Sequence, residues 1–294
     1  MAPPDKFVFY AYQPSMAGTV TLAVLFGLSS LWHIKQMAQS RTWYFVPFTL
    51  GCLFETVGYI GRAMSSSESF PDFTKNPYII QSSLLLLGPT LFAASIYMIL
   101  GRLIRLLDAD AYSMIPPRWL TKVFVLGDVL SFLAQGGGSI GGGMLTMAKT
   151  QDDVKRGENM ILGGLGIQIL FFGVFCAVTA SFHLHIRRKP TSKSYALTVP
   201  WELLIYVLYA ASLLIMVRSL YRVAEYAQGQ GGALQSHEYW LYILDSVPML
   251  VVSVLFNRMH PSCVVGRRGE TGSTTTHLME EGMGHRHVHG QAKE

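Results

Sequence analysis

Seven long apolar runs, separated by short polar segments, set the pattern of this chain. They cover residues 15–37, 42–64, 78–102, 119–147, 160–185, 201–222 and 239–258. A helix of about 20 residues crosses about 30 Å of hydrocarbon, so each run predicts one membrane span. The pattern predicts an all-α membrane protein, a bundle of seven transmembrane helices. The third and fourth runs exceed the required length and are expected to tilt or protrude. Residues 1–14 are short, proline-bearing and lack an apolar core, so no cleavable leader is expected there. Residues 15–260 form the transmembrane domain, and the polar residues 261–294 read as a disordered cytosolic tail.

Composition agrees with lipid as the solvent. The 294 residues are 50% hydrophobic and only 14% charged, against about 25% charged in soluble domains; the mean hydropathy is +0.33. The net charge of +5 does not gather into one patch, so nucleic acid is not an expected partner. The basic residues instead sit at the ends of the apolar runs. With the N-terminus outside and the C-terminus cytosolic, fifteen of the 23 Lys and Arg residues fall on the cytosolic side, as the positive-inside rule requires. An integral, multi-pass protein follows, with the plasma membrane as its expected location. Cys52, Cys176 and Cys263 lie far apart with no CxxC spacing, which supports neither a disulfide framework nor a thiolate metal site.

Polar residues inside the runs mark the candidate chemistry. In GCLFETVGYIGR, Gly51, Glu55, Gly58 and Arg62 fall at i, i+4, i+7 and i+11, on one helical face. A carboxylate at such depth costs on the order of 3 kcal/mol by insertion scales, so it faces the protein interior. Gln81, Gln168, Arg218, Arg222, Glu225 and Asp245 reach a similar depth from the outer side on other spans. These groups predict a polar, outward-open cavity in which Arg218 pairs with Asp245 or Glu55. The competing expectation is an ion-pair network that only holds helices together. In the fourth run Asp128, Ser131, Gln135 and Ser139 share a face and, with Glu55, are expected to carry the cavity toward the cytosol or to relay protons. Pro47, Pro89 and Pro248 lie inside runs and predict kinks.

Other motifs count for less. Gly136–Gly143 reads GGGSIGGG, but it lacks the Lys-Ser/Thr of a phosphate loop and suits close helix packing. His183 and His185 point to opposite sides of a helix, His33 and His260 lie on other runs, and no HxxxH or HExxH exists. The tail's His285, His287 and His289 read as solvated. No GxSxG or Walker sequence is present. No metal, cofactor or enzymatic activity is expected, and ATP hydrolysis is not the expected driver.

A family resemblance is carried by many ordered matches. They include Trp43-Tyr44 with Pro47-Phe48, Phe54-Glu55 with Gly58-Tyr59 and Gly61-Arg62, Gln81 and Pro89, and Ala94-Ser95-Ile96-Tyr97 with Gly101-Arg102. Further on come Gly127-Asp128 with Gln135, Gly164-Leu165 with Gln168, then Arg218, Tyr221-Arg222, Glu225-Tyr226, Gly229, Glu238, Asp245, Pro248-Met249 and His260-Pro261. In these the chain resembles the fungal RTA-like proteins, the lipid-translocating exporter family named for aminocholesterol resistance. The resemblance implies seven helices with the N-terminus out, and export or flipping of sphingoid long-chain bases or related toxic amphiphiles. The chain has no N-x-S/T sequon, so the N-terminal glycosylation suggested for some members is not expected. The family supplies no catalytic residues. The translocation candidates are Glu55, Tyr59, Arg62, Gln81, Asp128, Gln135, Gln168, Arg218, Glu225 and Asp245, with membrane lipids and an amphiphilic small molecule as partners. A seven-helix receptor or sensor of membrane stress is the alternative.

Overall fold

A computed structural model describes residues 10, 12–68, 73–135, 151–197, 199–228 and 232–265, with backbone only for 151–154. Among the described residues every regular element is helical and no strand occurs. The long helices are α1 (Met16–Ser40), α2 (Val46–Ser66), α3 (Lys75–Leu106), α4 (Pro117–Ala134), α5 (Gln151–Arg188), α6 (Trp201–Gln228) and α7 (residues 238–258). Within α7, Glu238–Leu241 runs into a π-helical turn, Tyr242–Ser246, and then into Val247–Arg258. The expected end of the fourth run, with Ser139 and Gly136–Gly143, and the tail from residue 266 onward lie outside the described residues.

Local sequence explains several boundaries. Ser15 caps α1 by accepting from the Gly18 N–H (3.3 Å), and Arg41 ends it in the left-handed region at φ 52°. A 3₁₀ turn, Trp43–Phe45, leads into α2. Pro47 falls in the first turn of α2, where its missing N–H has no intrahelical acceptor to serve. The kink expected at Pro47 is therefore absent; that proline starts a helix. Pro89 lies well inside α3, and Pro248 follows the π turn of α7.

Among the described residues five helices, α1, α3, α5, α6 and the segment 238–265, are long and apolar enough to cross a membrane. In α2 the apolar run is diluted by Glu55, Arg62 and glycines. The described part of α4 is 18 residues long and carries Arg118, Lys122 and Asp128. The exposure pattern reverses that of a water-soluble bundle. Leu28, Leu31, Leu170 and Leu213 are at least 60% exposed, whereas Arg62, Glu55, Arg218 and Asp245 are at most 2% exposed. Apolar side chains face outward into lipid, and charge is kept inside.

Each helix packs on its sequence neighbours, α7 closes on α1, and α3 also meets α6. The α2–α3 contact is tight because glycines face it. A Cβ on Gly51 would stand 2.8 Å from Phe92 Cδ1 and 2.9 Å from the Gly88 carbonyl oxygen. The second neighbour is backbone and cannot turn aside. Gly51→Ala is therefore expected to destabilise the protein by about 1–3 kcal/mol, read as a lower unfolding temperature in detergent. An unchanged temperature would show that α2 and α3 can separate freely. Below this contact, Phe45, Phe48 and Phe92 stack at 4.6 and 4.4 Å between centroids and anchor the α2–α3 core.

Candidate functional site

The Gly88-Pro89 step of α3 builds the site. Proline has no N–H, so Pro89 leaves the Leu85 carbonyl, four residues earlier, without its helical donor. The Arg218 Nη2 of α6 donates to that carbonyl. Gly88, with no side chain, leaves room for the Glu55 carboxyl of α2; a Cβ there would stand 2.7 Å from Glu55 Oε1. One helix irregularity thus receives a guanidinium on one residue and a carboxylate on the next turn.

Around it three helices, α2, α6 and α7, contribute charge. Arg218 and Arg222, one turn apart on α6, both pair with Asp245 of α7. Arg222 Nη1 also binds Glu225 Oε2 at 2.9 Å. Asp245 lies in the π turn, where Pro248 cannot donate to the Leu244 carbonyl and the helix locally widens. Of the two acids available to Arg218 in the sequence, the structure pairs Asp245. Ser246, the next residue in that turn, hydrogen-bonds the Tyr59 hydroxyl of α2, and Tyr59 stacks on Phe26 of α1 at 5.7 Å.

A strap crosses one end of this cluster. Arg62 Nη2 donates to Glu238 Oε1 and to the Tyr12 hydroxyl, both at 2.9 Å, and its guanidinium lies over the Tyr10 and Tyr12 rings. The Tyr10 hydroxyl donates to Gln81 Oε1 (2.6 Å), the Tyr242 hydroxyl to Glu238 Oε1 (2.7 Å), and the Ser15 N–H to Glu238 (2.9 Å). Burial pushes the Tyr10 and Tyr12 phenols above their ordinary pKa, with Arg62 pulling the other way. Both remain neutral near pH 7, so Glu238 is the anion that balances Arg62. Arg62→Lys keeps the charge but loses the planar guanidinium that lies over the Tyr10 and Tyr12 rings. It is expected to weaken the strap by about 1–2 kcal/mol, seen as faster amide exchange at Tyr12, Gln13 and Ser15; unchanged exchange would mean the strap is held elsewhere.

Opposite charges are then matched, with one exception. Arg218 and Arg222 face Asp245 and Glu225, and Arg62 faces Glu238. Glu55 is the remaining acid, 2% exposed, and its Oε1 has no hydrogen-bond partner. Arg218, Asp245 and Arg222 act on it through space, but none binds it. Such a carboxylate can accept a cationic head group once the cluster opens. In the present arrangement the cluster is packed shut, not open to the outside as the sequence suggested: Arg222 and Glu225, its most exposed members, are 9% exposed.

Three candidates go elsewhere. Gln81, Leu85 and Gly88 occupy one face of α3, whereas Thr90 and Tyr97 occupy the other. Gly88 and Tyr97 are about 180° apart around the axis and about 13 Å apart along it. Gln168 of α5 donates to Thr90 Oγ1 (3.4 Å), and Tyr97 is the polar neighbour of Asp128. Gln135 Nε2 donates to Ser131 Oγ (3.0 Å), which donates to the Gly164 carbonyl (2.6 Å) in the α4–α5 contact. The expected polar path from Glu55 to Asp128 is therefore interrupted by α3, which stands between α2 and α4. Glu238, Tyr12 and Ser246 were not among the expected site residues. Their roles depend on contacts between positions 50, 176 and 187 residues apart, for which a single sequence offers no signal. Arg222 had one: two arginines a turn apart on a buried face require at least two acids.

No solved structure matches the chain. Among curated proteins, protoporphyrin uptake protein 1 of Saccharomyces cerevisiae is 36% identical over 286 residues, covering 85% of this chain and 91% of that protein. The probable lipid transporter atnI of Emericella nidulans is 29% identical over 271 residues, covering 87% and 68%. The sphingoid long-chain base transporter RSB1 of Saccharomyces cerevisiae is 25% identical over 306 residues, covering 92% and 78%. The model of the RTA1 like protein family matches residues 48–268, which include α2 through α7 and with them Glu55, Arg218, Arg222 and Asp245, so this chain belongs to the RTA1-like family.

Proposed function

We propose that this protein translocates lipid-like amphiphiles with a cationic head group across the plasma membrane. It does so as a seven-span bundle, N-terminus outside and C-terminus cytosolic, and carries out no chemical reaction on its cargo. The observation that carries this reading is the unmatched Glu55 at the Gly88-Pro89 step, in a cluster whose arginines are already paired. The group left without a partner is an acid, which suits an amine better than a carboxylate or phosphate. Relatives named as a lipid transporter and a sphingoid long-chain base transporter support the cargo class. The basic residues at the cytosolic ends support the orientation. Phe26, Tyr59 and the neighbouring aromatic core offer an apolar surface for the hydrocarbon chain.

Purified protein in liposomes, with a fluorescent long-chain amine in one leaflet, tests this. Protein-dependent loss of leaflet asymmetry is the expected result. Saturable binding without movement would instead identify a receptor, and an anionic amphiphile moving faster than the amine would reverse the charge assignment.

A further inference from the structure

Asp128 is the second buried acid without a partner, and the site described above does not use it. It is 2% exposed, and among the described residues neither carboxylate oxygen has a hydrogen-bond partner of ordinary geometry. The Tyr97 hydroxyl of α3, itself fully buried, interacts with the carboxyl group but forms no hydrogen bond of ordinary geometry. Tyr97 is boxed by Phe124 of α4 and Phe175 of α5, at 5.3 and 4.5 Å between centroids. On α5 the titratable group facing Tyr97 is Cys176, and on α4 itself Ser131 is committed to the Gly164 carbonyl. Among the described residues no Arg, Lys or His acts on Asp128.

A bare carboxylate in such an aromatic enclosure is the costliest form the group could take; proteins neutralise it or supply a cation. A hard metal cation takes about six oxygens, and the enclosure offers the carboxylate, one phenol and a hydroxyl already engaged. A proton needs one. Asp128 and Glu55 also contact opposite faces of the same helix, on either side of its Pro89 irregularity. A change of α3 geometry at Pro89 moves both enclosures together.

We propose that Asp128 is a proton-carrying site, coupled through α3 to the amphiphile at Glu55. Asp128 takes one proton from water on one side, forming a carboxyl O–H, and releases it to water on the other while one cationic amphiphile moves the opposite way. The exchange is electroneutral and involves no electron transfer. This coupling rests on the transport reading above.

Two measurements test it. In liposomes, one-for-one exchange concentrates the amine, used as a permanently charged quaternary ammonium that cannot cross as a neutral base, about tenfold per unit of imposed pH gradient. Asp128→Asn is expected to equilibrate the amine but to hold its concentration ratio near one under the same gradient. Full gradient-driven accumulation in that variant would overturn the proposal. Independently of transport, infrared difference spectra of the wild type should contain the carbonyl stretch of a protonated carboxylic acid. That band should vanish in Asp128→Asn, persist in Glu55→Gln and shift in Tyr97→Phe, which keeps the ring packing. A wild type lacking the band, or a band insensitive to both position-128 and position-97 changes, would overturn the proton assignment even if the amine moves. A wild type that moves no amine would overturn the transport reading and the coupling, while the band would still decide whether Asp128 holds a proton.

Discussion

Asp245→Asn is expected to lower stability by about 3–5 kcal/mol, enough to abolish folded protein in many backgrounds. The reason is the sharing of one acid between two arginines. Asp245 pairs with both Arg218 and Arg222, and these three residues are at most 9% exposed. With asparagine, two buried guanidinium groups are left with Glu225 as their paired acid. Each guanidinium is charged at any accessible pH, so the imbalance cannot be relieved by losing a proton. Thermal unfolding in detergent, followed by tryptophan fluorescence, reads the loss. Adding Arg218→Gln to Asp245→Asn is expected to recover a substantial part of it, because it removes the guanidinium whose paired acid was Asp245, while Arg222 keeps Glu225. Unchanged unfolding of the single variant would show that water or lipid head groups reach the cluster and that it does not hold the bundle.

Glu55→Gln is expected to leave the fold intact and to slow amine translocation about ten- to a hundredfold. Because Oε1 has no hydrogen-bond partner, the nearly isosteric amide breaks no hydrogen bond there. The Gly88 surface that receives it has room only for a side chain of this shape, which glutamine shares. What is lost is the charge-assisted bond to an ammonium group, worth about 1.5–3 kcal/mol, which corresponds to the stated factor. The liposome assay reads the rate, and unfolding temperature serves as the control. A variant with wild-type translocation would move the head-group site away from α2. A variant that unfolds early would make Glu55 a structural acid. The contrast with Asp245 is the informative part: two buried acids facing the same site, one expected to cost stability and the other transport.

Much of this architecture is legible in the chain. The limits of α1, α3 and α7 fall within four residues of the apolar runs that predict them, whereas α6 starts with its run but continues to Gln228, past the expected end at 222. The face Gly51-Glu55-Gly58-Arg62 is buried in the structure, as its spacing requires. The ends of α5 are less so: it begins at Gln151, well before the run at 160, because helix continues through the polar residues 151–159. Pro47 shows how a run conceals a start. In a list of hydropathies it interrupts a span, but a 3₁₀ turn places it where a helix tolerates proline best.

From the sequence alone follow the helical class, the burial of Glu55, Arg218 and Asp245, and the need for opposite charges near two arginines on one face. Helical period and the cost of charge in hydrocarbon are local constraints, and they act on every residue whatever its neighbours. Only the tertiary structure decided which acid meets which arginine, that Glu238 from the far end of the chain balances Arg62, and that α3 separates Glu55 from Asp128. Those outcomes depend on the rotation of each helix about its axis and on the order in which helices surround α3. Both are set by packing between residues distant in the chain: glycines admitting a neighbour at Gly51 and Gly88, and a proline at 89 freeing one carbonyl for Arg218.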